Sequence, residues 1–233
     1  MDPLALLIDE YDYHSRKVIK AVSGERYVGV MLEDGQIGVC VNLTGEAKFL
    51  PTKPDLKCLN SRIWLTAYFN ALKNFSQPQL LDGDIFQIVD FERYNNIVMI
   101  GFFKPLYQKL ISLGKNIIFF DFRDIEGKAP EESKPYYLSK ADIVIISSTT
   151  IANNTLDEIL SFSVKAKKYL LGPSSIFDSK FFNIGIDGIF GTLFRKNDIR
   201  ILEIIAQGGG TRDFQKLGIK KYLFNDSLGK KIQ

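Results

Sequence analysis

Residues 141–160 hold the densest set of side chains that could bind a ligand. They read Ala-Asp-Ile-Val-Ile-Ile-Ser-Ser-Thr-Thr, then Ile-Ala-Asn-Asn-Thr, then Leu-Asp-Glu-Ile-Leu. An apolar run that predicts a buried strand ends in hydroxyls and amides, and a helix is expected to start at once. In an open α/β sheet, ligands sit outside the carboxyl ends of strands, where such junctions lie. Ser148, Thr149, Thr150 and Asn153 supply hydrogen bonds, not a nucleophile or metal ligands. Thr155 and Glu158 have the spacing of a capping box, which accounts for one hydroxyl and leaves the others free. Asp157 and Glu158 stand in the first turn of the expected helix and disfavour a bare phosphate there.

Three further junctions sit where strands should end. Gly101-Phe102-Phe103-Lys104-Pro105 follows one apolar run; Gly101 permits close backbone approach and Pro105 suits a first helical turn. It is not the three-glycine dinucleotide fingerprint. Asp121 closes another run, where an acid either holds ribose hydroxyls or starts a solvated turn. Gly172-Pro173-Ser174-Ser175 reads as a ligand-facing loop or as a plain turn with a serine cap. Gly208-Gly209-Gly210-Thr211 offers exposed amides or merely ends a helix. The one histidine, His14, has no second histidine, and no cysteine pair has metal spacing. Acid–base work would fall to Asp, Glu, Lys or Tyr.

The elements that must carry these junctions follow from periodicity. Leu7, Tyr11, His14, Val18 and Val22 predict one amphipathic helix over residues 3–22. Residues 27–32 and 37–43 are β-rich, and Asp34-Gly35 between them signals a hairpin. Ile63, Trp64, Ala67, Ala71 and Leu72 predict a helix capped by Asn60 or Ser61. Beyond residue 96, apolar runs at 97–100, 116–121, 142–147, 168–171 and 186–190 alternate with helical patterns at 105–113, 156–162 and 198–206. Alternation of this kind means βαβ units and a doubly wound, mostly parallel sheet. The fold class is therefore α/β, with a small α+β domain over 1–82 and a doubly wound α/β domain over 83–233.

With 233 residues, 45 % hydrophobic and 24 % charged, the chain can bury a large core. A net charge of +3, from 30 basic and 27 acidic residues, gives no strong field for nucleic acid, and Lys220-Lys221 and Lys230-Lys231 read as solvated surface. No run is long enough to span a bilayer, and the first 22 residues lack the signal-peptide pattern. With only Cys40 and Cys58, and no disulfide framework, a cytoplasmic location is expected. Cys40 reads as a small core residue.

The ordered set Gly101-Phe102-Phe103-Lys104-Pro105, residues 141–155, Gly172-Pro173-Ser174 and Gly185-Ile186-Asp187-Gly188 through Gly191 resembles the family called putative heavy-metal chelation proteins. Ala67 to Ala71, in the order Ala-x-x-Asn-Ala, resembles a segment of that family's smaller first domain. The resemblance implies a first domain similar to the enolase N-terminal domain, joined to a Rossmann-like domain, with a site in the cleft between them. Carried over, that site comprises Asn70, Gly101, Thr149, Thr150, Asn153, Asn154, Thr155, Gly172, Pro173 and Ser174. Where the family often has Thr-Gly before its paired threonines, this chain has Ser147-Ser148. Adding Phe103, Asp121 and Ser148 from the junctions completes the expected site. The expected function is binding of a polar metabolite or a metal chelate, with no resident metal ligands, no nucleic acid and no membrane. The alternative is a nucleotide-dependent oxidoreductase or transferase, weakened by the missing glycine fingerprint. Catalysis, a cofactor and a homo-oligomeric state stay open at this level.

Overall fold

The computed structural model describes residues 1–45, 47, 50–74 and 79–225. Helix α1 (Pro3–Glu10) starts on Asp2, whose carboxylate accepts the Leu4 amide at 3.0 Å. The helix predicted over 3–22 stops here. Tyr11 is already extended, and residues Val18–Ser23 form strand β1. Val18 and Val22 misled the periodicity because a spacing of four keeps residues on one face of a strand as well as of a helix.

Strands β1, β2 (Tyr27–Leu32) and β3 (Ile37–Val41) form an antiparallel sheet in that order. The Asp34-Gly35 hairpin joins β2 to β3, with Gly35 at φ +82°. Helix α2 (Leu59–Asn74) lies on this sheet and is buried almost all round. It approaches β3 so closely that a Cβ on Gly38 would stand 2.2 Å from both the Ala67 carbonyl oxygen and the Ala71 nitrogen. Neither Asn60 nor Ser61 caps α2: the helix begins at Leu59, and the Ser61 hydroxyl instead accepts the Asp55 amide at 2.9 Å.

The second sheet contains β4 (Leu81–Asp82), β5 (Asn96–Ile100), β6 (Asn116–Phe120), β7 (Ile143–Ser147), β8 (Lys167–Leu171), β9 (Gly188–Phe194) and β10 (Gly218–Phe224). Their order is β4-β10-β9-β8-β7-β5-β6. The five strands from β9 to β6 run parallel, and β10 and β4 are antiparallel additions. Around them lie α3 (Ile85–Ile88), α4 (Lys104–Ser112), α5 (Lys134–Lys140), α6 (Thr149–Ala152), α7 (Leu156–Phe162), α8 (Lys180–Asn183), α9 (Arg200–Ala206) and α10 (Thr211–Phe214). Lys220 and Lys221 therefore belong to a strand, where they pair with Asp84 and Asp82. The run expected at 186–190 starts later, at Gly188, and continues to Phe194. Lys230-Lys231 lies outside the described residues.

One apolar cluster runs from Leu4, Trp64 and Phe69 of the first layer to Val144, Ile146, Leu170 and Phe181 of the second. Strand β7 is buried from Ile143 to Ile146, the mark of a strand covered on both faces. The chain passes from β5 to β6 on one side, then returns to β7 on the other. That reversal makes the carboxyl ends of β5 and β7 the topological switch point. Among the described residues no helix is long and apolar enough to cross a membrane.

Candidate functional site at the β5–β7–β8 crest

Strand β5 ends in Gly101, which adopts φ +90° and donates its amide to the Phe120 carbonyl at 2.7 Å. A Cβ here would lie 2.8 Å from Ser147 Cβ, so glycine lets the two strand ends close up. Ser147 is the last residue of β7, and its hydroxyl lies 2.9 Å from the Thr149 hydroxyl. Both residues are half-buried and reach the crest surface. Thr150 is buried, and its hydroxyl donates to the Ser147 carbonyl at 2.7 Å. Ser148 is also buried; its amide donates to the Leu171 carbonyl at 3.0 Å. Gly172, at φ +138°, makes room for that serine: a Cβ on it would stand 2.8 Å from the Ser148 hydroxyl.

Beyond α6 the chain turns through Asn153 and Asn154, the latter at φ +62°. The Asn153 side-chain oxygen accepts both the Thr155 amide (3.2 Å) and the Thr155 hydroxyl (2.7 Å). The predicted Thr155–Glu158 capping box is therefore absent. The threonine turns backward to a nearer acceptor, a local competition that Asn side chains commonly win.

Asn70 sits in α2 with no exposed surface. Its oxygen accepts the Val39 amide at 2.9 Å, and its nitrogen donates to the carbonyls of Pro173 (3.2 Å) and Ser175 (2.6 Å). Two residues along β3, the Val41 amide donates to the Ser174 hydroxyl at 3.1 Å. Strand β3 is the free edge of the small sheet, and its outward amides would otherwise be buried without partners. Asn70 and Ser174 thus join the two layers directly behind the crest.

Asp121 lies to one side, after β6. Its carboxylate accepts the Phe102 amide at 2.8 Å and the Arg123 amide at 2.9 Å, and it forms a fork with the Arg123 guanidinium. Burial pushes this carboxyl up, but the Arg123 side chain and the two amides outweigh it and hold it below the ordinary carboxylate range. Phe103 precedes α4 and donates its amide to the Met99 sulfur at 3.4 Å. The expected site residues thus fall into four groups. Gly101, Thr149 and Gly172 share the crest with Ser147. Asn70, Ser148, Thr150, Pro173 and Ser174 build its back. Asn153, Asn154 and Thr155 lie past α6, and Asp121 and Phe103 lie on the β5–β6 side.

Two residues here lie outside the expected site. Ser147 belongs to the run of hydroxyls that closes the apolar strand, but its pairing with Thr149 emerges only in the fold. Arg62, in α2, is almost fully buried and donates to the carbonyls of Ile151 (2.7 Å) and Ala152 (2.8 Å), to Asn154 Oδ1 (3.1 Å) and to Asp2 (3.0 Å). It clamps the end of α6 to the first layer. The only sequence signal was an arginine within an otherwise apolar helical pattern. Elsewhere, Gly208-Gly209-Gly210 ends α9 and leads to Thr211, whose hydroxyl meets Tyr27 at 2.8 Å, a packing role.

Residues 84–224 match the family model described as putative heavy-metal chelation, DUF364. The chain belongs to this family. No curated protein matches the sequence. Among solved structures, a DUF364 protein of unknown function from Pyrococcus horikoshii is 19 % identical, with a TM-score of 0.78 over 90 % of this chain and 94 % of that one. Another DUF364 protein of unknown function, from Desulfitobacterium hafniense, is 17 % identical, with a TM-score of 0.77 over 95 % of this chain and 97 % of that one. At such identities the likeness speaks for the fold.

The family's description raises the question of a metal, and the donors of this DUF364 chain fit a soft ion poorly. Cys40 is buried and burial pushes its thiol up to about 12, so the thiolate a metal needs is suppressed. Cys58 is exposed immediately before α2, and the His14 ring bonds the Thr52 carbonyl at 2.9 Å. Among the described residues, no three His, Cys, Asp or Glu side chains are grouped to hold an ion.

Proposed function

We propose that the crest at the ends of β5, β7 and β8 binds a small, oxygen-rich organic molecule, taken either as a free polar metabolite or as its chelate with a metal ion. The observation that carries this reading is the Ser147–Thr149 hydroxyl pair, half-buried beside the positive-φ residues Gly101 and Gly172 at the switch point. One hydroxyl donates to the other and the Thr149 amide donates to Ser147 Oγ at 3.4 Å, which leaves one hydroxyl hydrogen and acceptor capacity for a further bond. The neighbouring polar groups are committed to the fold: Asn70, Thr150 and Ser174 bond backbone, and Arg62 holds the end of α6. The first domain thus acts by positioning, with Asn70 and Arg62 setting the depth of the crest. In this reading Gly101, Ser147, Thr149 and Gly172 face the ligand, and Asn153, Asn154 and Thr155 form its rim. A chelated metal would be recognised through the chelator's oxygens, which suits hydroxyl donors where soft protein ligands are scarce.

Isothermal titration tests this with hydroxycarboxylates, amino acids and their iron(III) and nickel(II) chelates. At least one should bind the wild type and bind Ser147→Ala/Thr149→Val at least tenfold more weakly. If none binds the wild type, or all bind both proteins equally, the reading fails. No observation favours the nucleotide-dependent alternative. Asp121, its intended ribose acceptor, already serves two amides and Arg123.

A further inference from the structure

At the opposite, amino end of the parallel strands lies a second concavity of about 540 Å³, lined among others by Arg93, Tyr94, Asn95, Lys140, Asp142 and Lys165. Its volume falls within the range of about 300–1,000 Å³ usual for small-ligand pockets. It is separated from the crest by the length of β5, five residues and so roughly 13–16 Å of strand. The three cations come from three separate segments: the approach to β5, the last turn of α5 and the turn before β8. Arg93 pairs with Asp90 at 2.7 Å. Lys140 and Lys165 are exposed, and neither makes an ion pair among the described residues.

A lysine at a helix carboxyl end gains about 0.3–1 kcal/mol from the dipole, which accounts for Lys140 without any ligand. It does not account for Lys165, three residues beyond the end of α7, or for both converging with Arg93 on one cavity. Asp142 is the one acid in the lining, and its Oδ2 accepts the Asn95 amide at 2.9 Å and the Asn96 amide at 2.8 Å. These bonds do not neutralise the carboxylate, but with Arg93 paired to Asp90 the two lysines still outweigh this one acid, so the lining presents net positive charge to an incoming group. Asn95 is exposed beside it, and Tyr94 lines it while packing partly against the apolar cluster of Ile97, Met99 and Tyr169.

We propose that this cavity binds a small phosphorylated metabolite, with its phosphomonoester between Lys140 and Lys165 and its organic part against Tyr94 and Asn95. A dianion there interacts with two ammonium groups that pair with no acid among the described residues, an attraction that salt screens because both are exposed. The site is independent of the crest and of what the crest binds.

Titration calorimetry with ribose 5-phosphate, in low-salt buffer free of other phosphate, tests the assignment. The wild type should show saturable binding that weakens as sodium chloride is raised, while ribose shows none. Lys140→Gln/Lys165→Gln should bind at least tenfold more weakly, and Lys220→Gln, which removes a lysine paired elsewhere, should bind as the wild type does. Because both cavity lysines are exposed, the double variant should keep its melting temperature within about 2 °C, which separates lost binding from lost folding. No saturable binding by the wild type, equal binding by the double variant, or equal binding of ribose would overturn the proposal.

Discussion

Single residues at the crest show polar atoms used for the fold before any are left over for a ligand. Asn70 was expected as a ligand contact. Its position beside Pro173 and Ser174 followed the family resemblance, but its bonds to Val39 and to two loop carbonyls depend on how the layers dock, which local pattern does not encode. Ser148 is accommodated by the missing Cβ of Gly172. Asp121 supports a prediction with a definite sign. Its folded pKa lies below the ordinary value, so its bonds stabilise the protein at neutral pH, and that contribution is lost as pH falls through the folded value. Replacing Asp121 with Asn should cost up to about 1 kcal/mol at pH 7, roughly 2–4 °C in a chain of this size. The melting-temperature gap between wild type and variant should narrow as pH drops from 5 towards 2. A gap that stays constant across that range would show the carboxylate's charge to be irrelevant.

Elements sort by whether their signal is local. Strands 97–100, 116–121, 142–147 and 168–171 were legible because apolar runs buried on both faces stand out against the intervening helices. The hairpin was legible because Asp34-Gly35 supplies the positive φ its turn needs. Strand β10 was not, since Lys220 and Lys221 look solvated until their partners Asp84 and Asp82 are brought across the sheet. Helix α1 was drawn too long because a four-residue spacing fits strand and helix alike. The contact between α2 and β3 belongs to this scale. Gly38→Ala would drive a methyl group into backbone atoms at 2.2 Å, where no side chain can swing aside. Overpacking of this kind costs about 1–3 kcal/mol or more, and the adjoining bond from Val39 to Asn70 should loosen with it. Thermal denaturation should show a drop of at least about 3 °C, and amide exchange at Val39 should quicken. An unchanged melting temperature would mean that α2 does not sit as closely on β3 as described.

Across the whole molecule, two layers close on each other through Asn70, Ser174 and Arg62, and the carboxyl ends of β5, β7 and β8 emerge beside that seam. The switch-point rule made the location of the crest legible, because it needs only strand order and the small residues that end each strand. Arg62 was hidden, since its meaning comes from contacts more than eighty residues apart, whereas Thr149 was legible as a site residue and only its pairing with Ser147 was not. The central claim, that this crest holds a small polar molecule, is tested most directly by weighing the protein. Wild type and Ser147→Ala/Thr149→Val would each be dialysed against a small-molecule cell extract, then measured by mass spectrometry under native and denaturing conditions. The wild type should carry one non-covalent adduct, with or without a metal, that denaturation releases and the variant lacks. An unadorned native mass for the wild type, or the same adduct on both proteins, would contradict it.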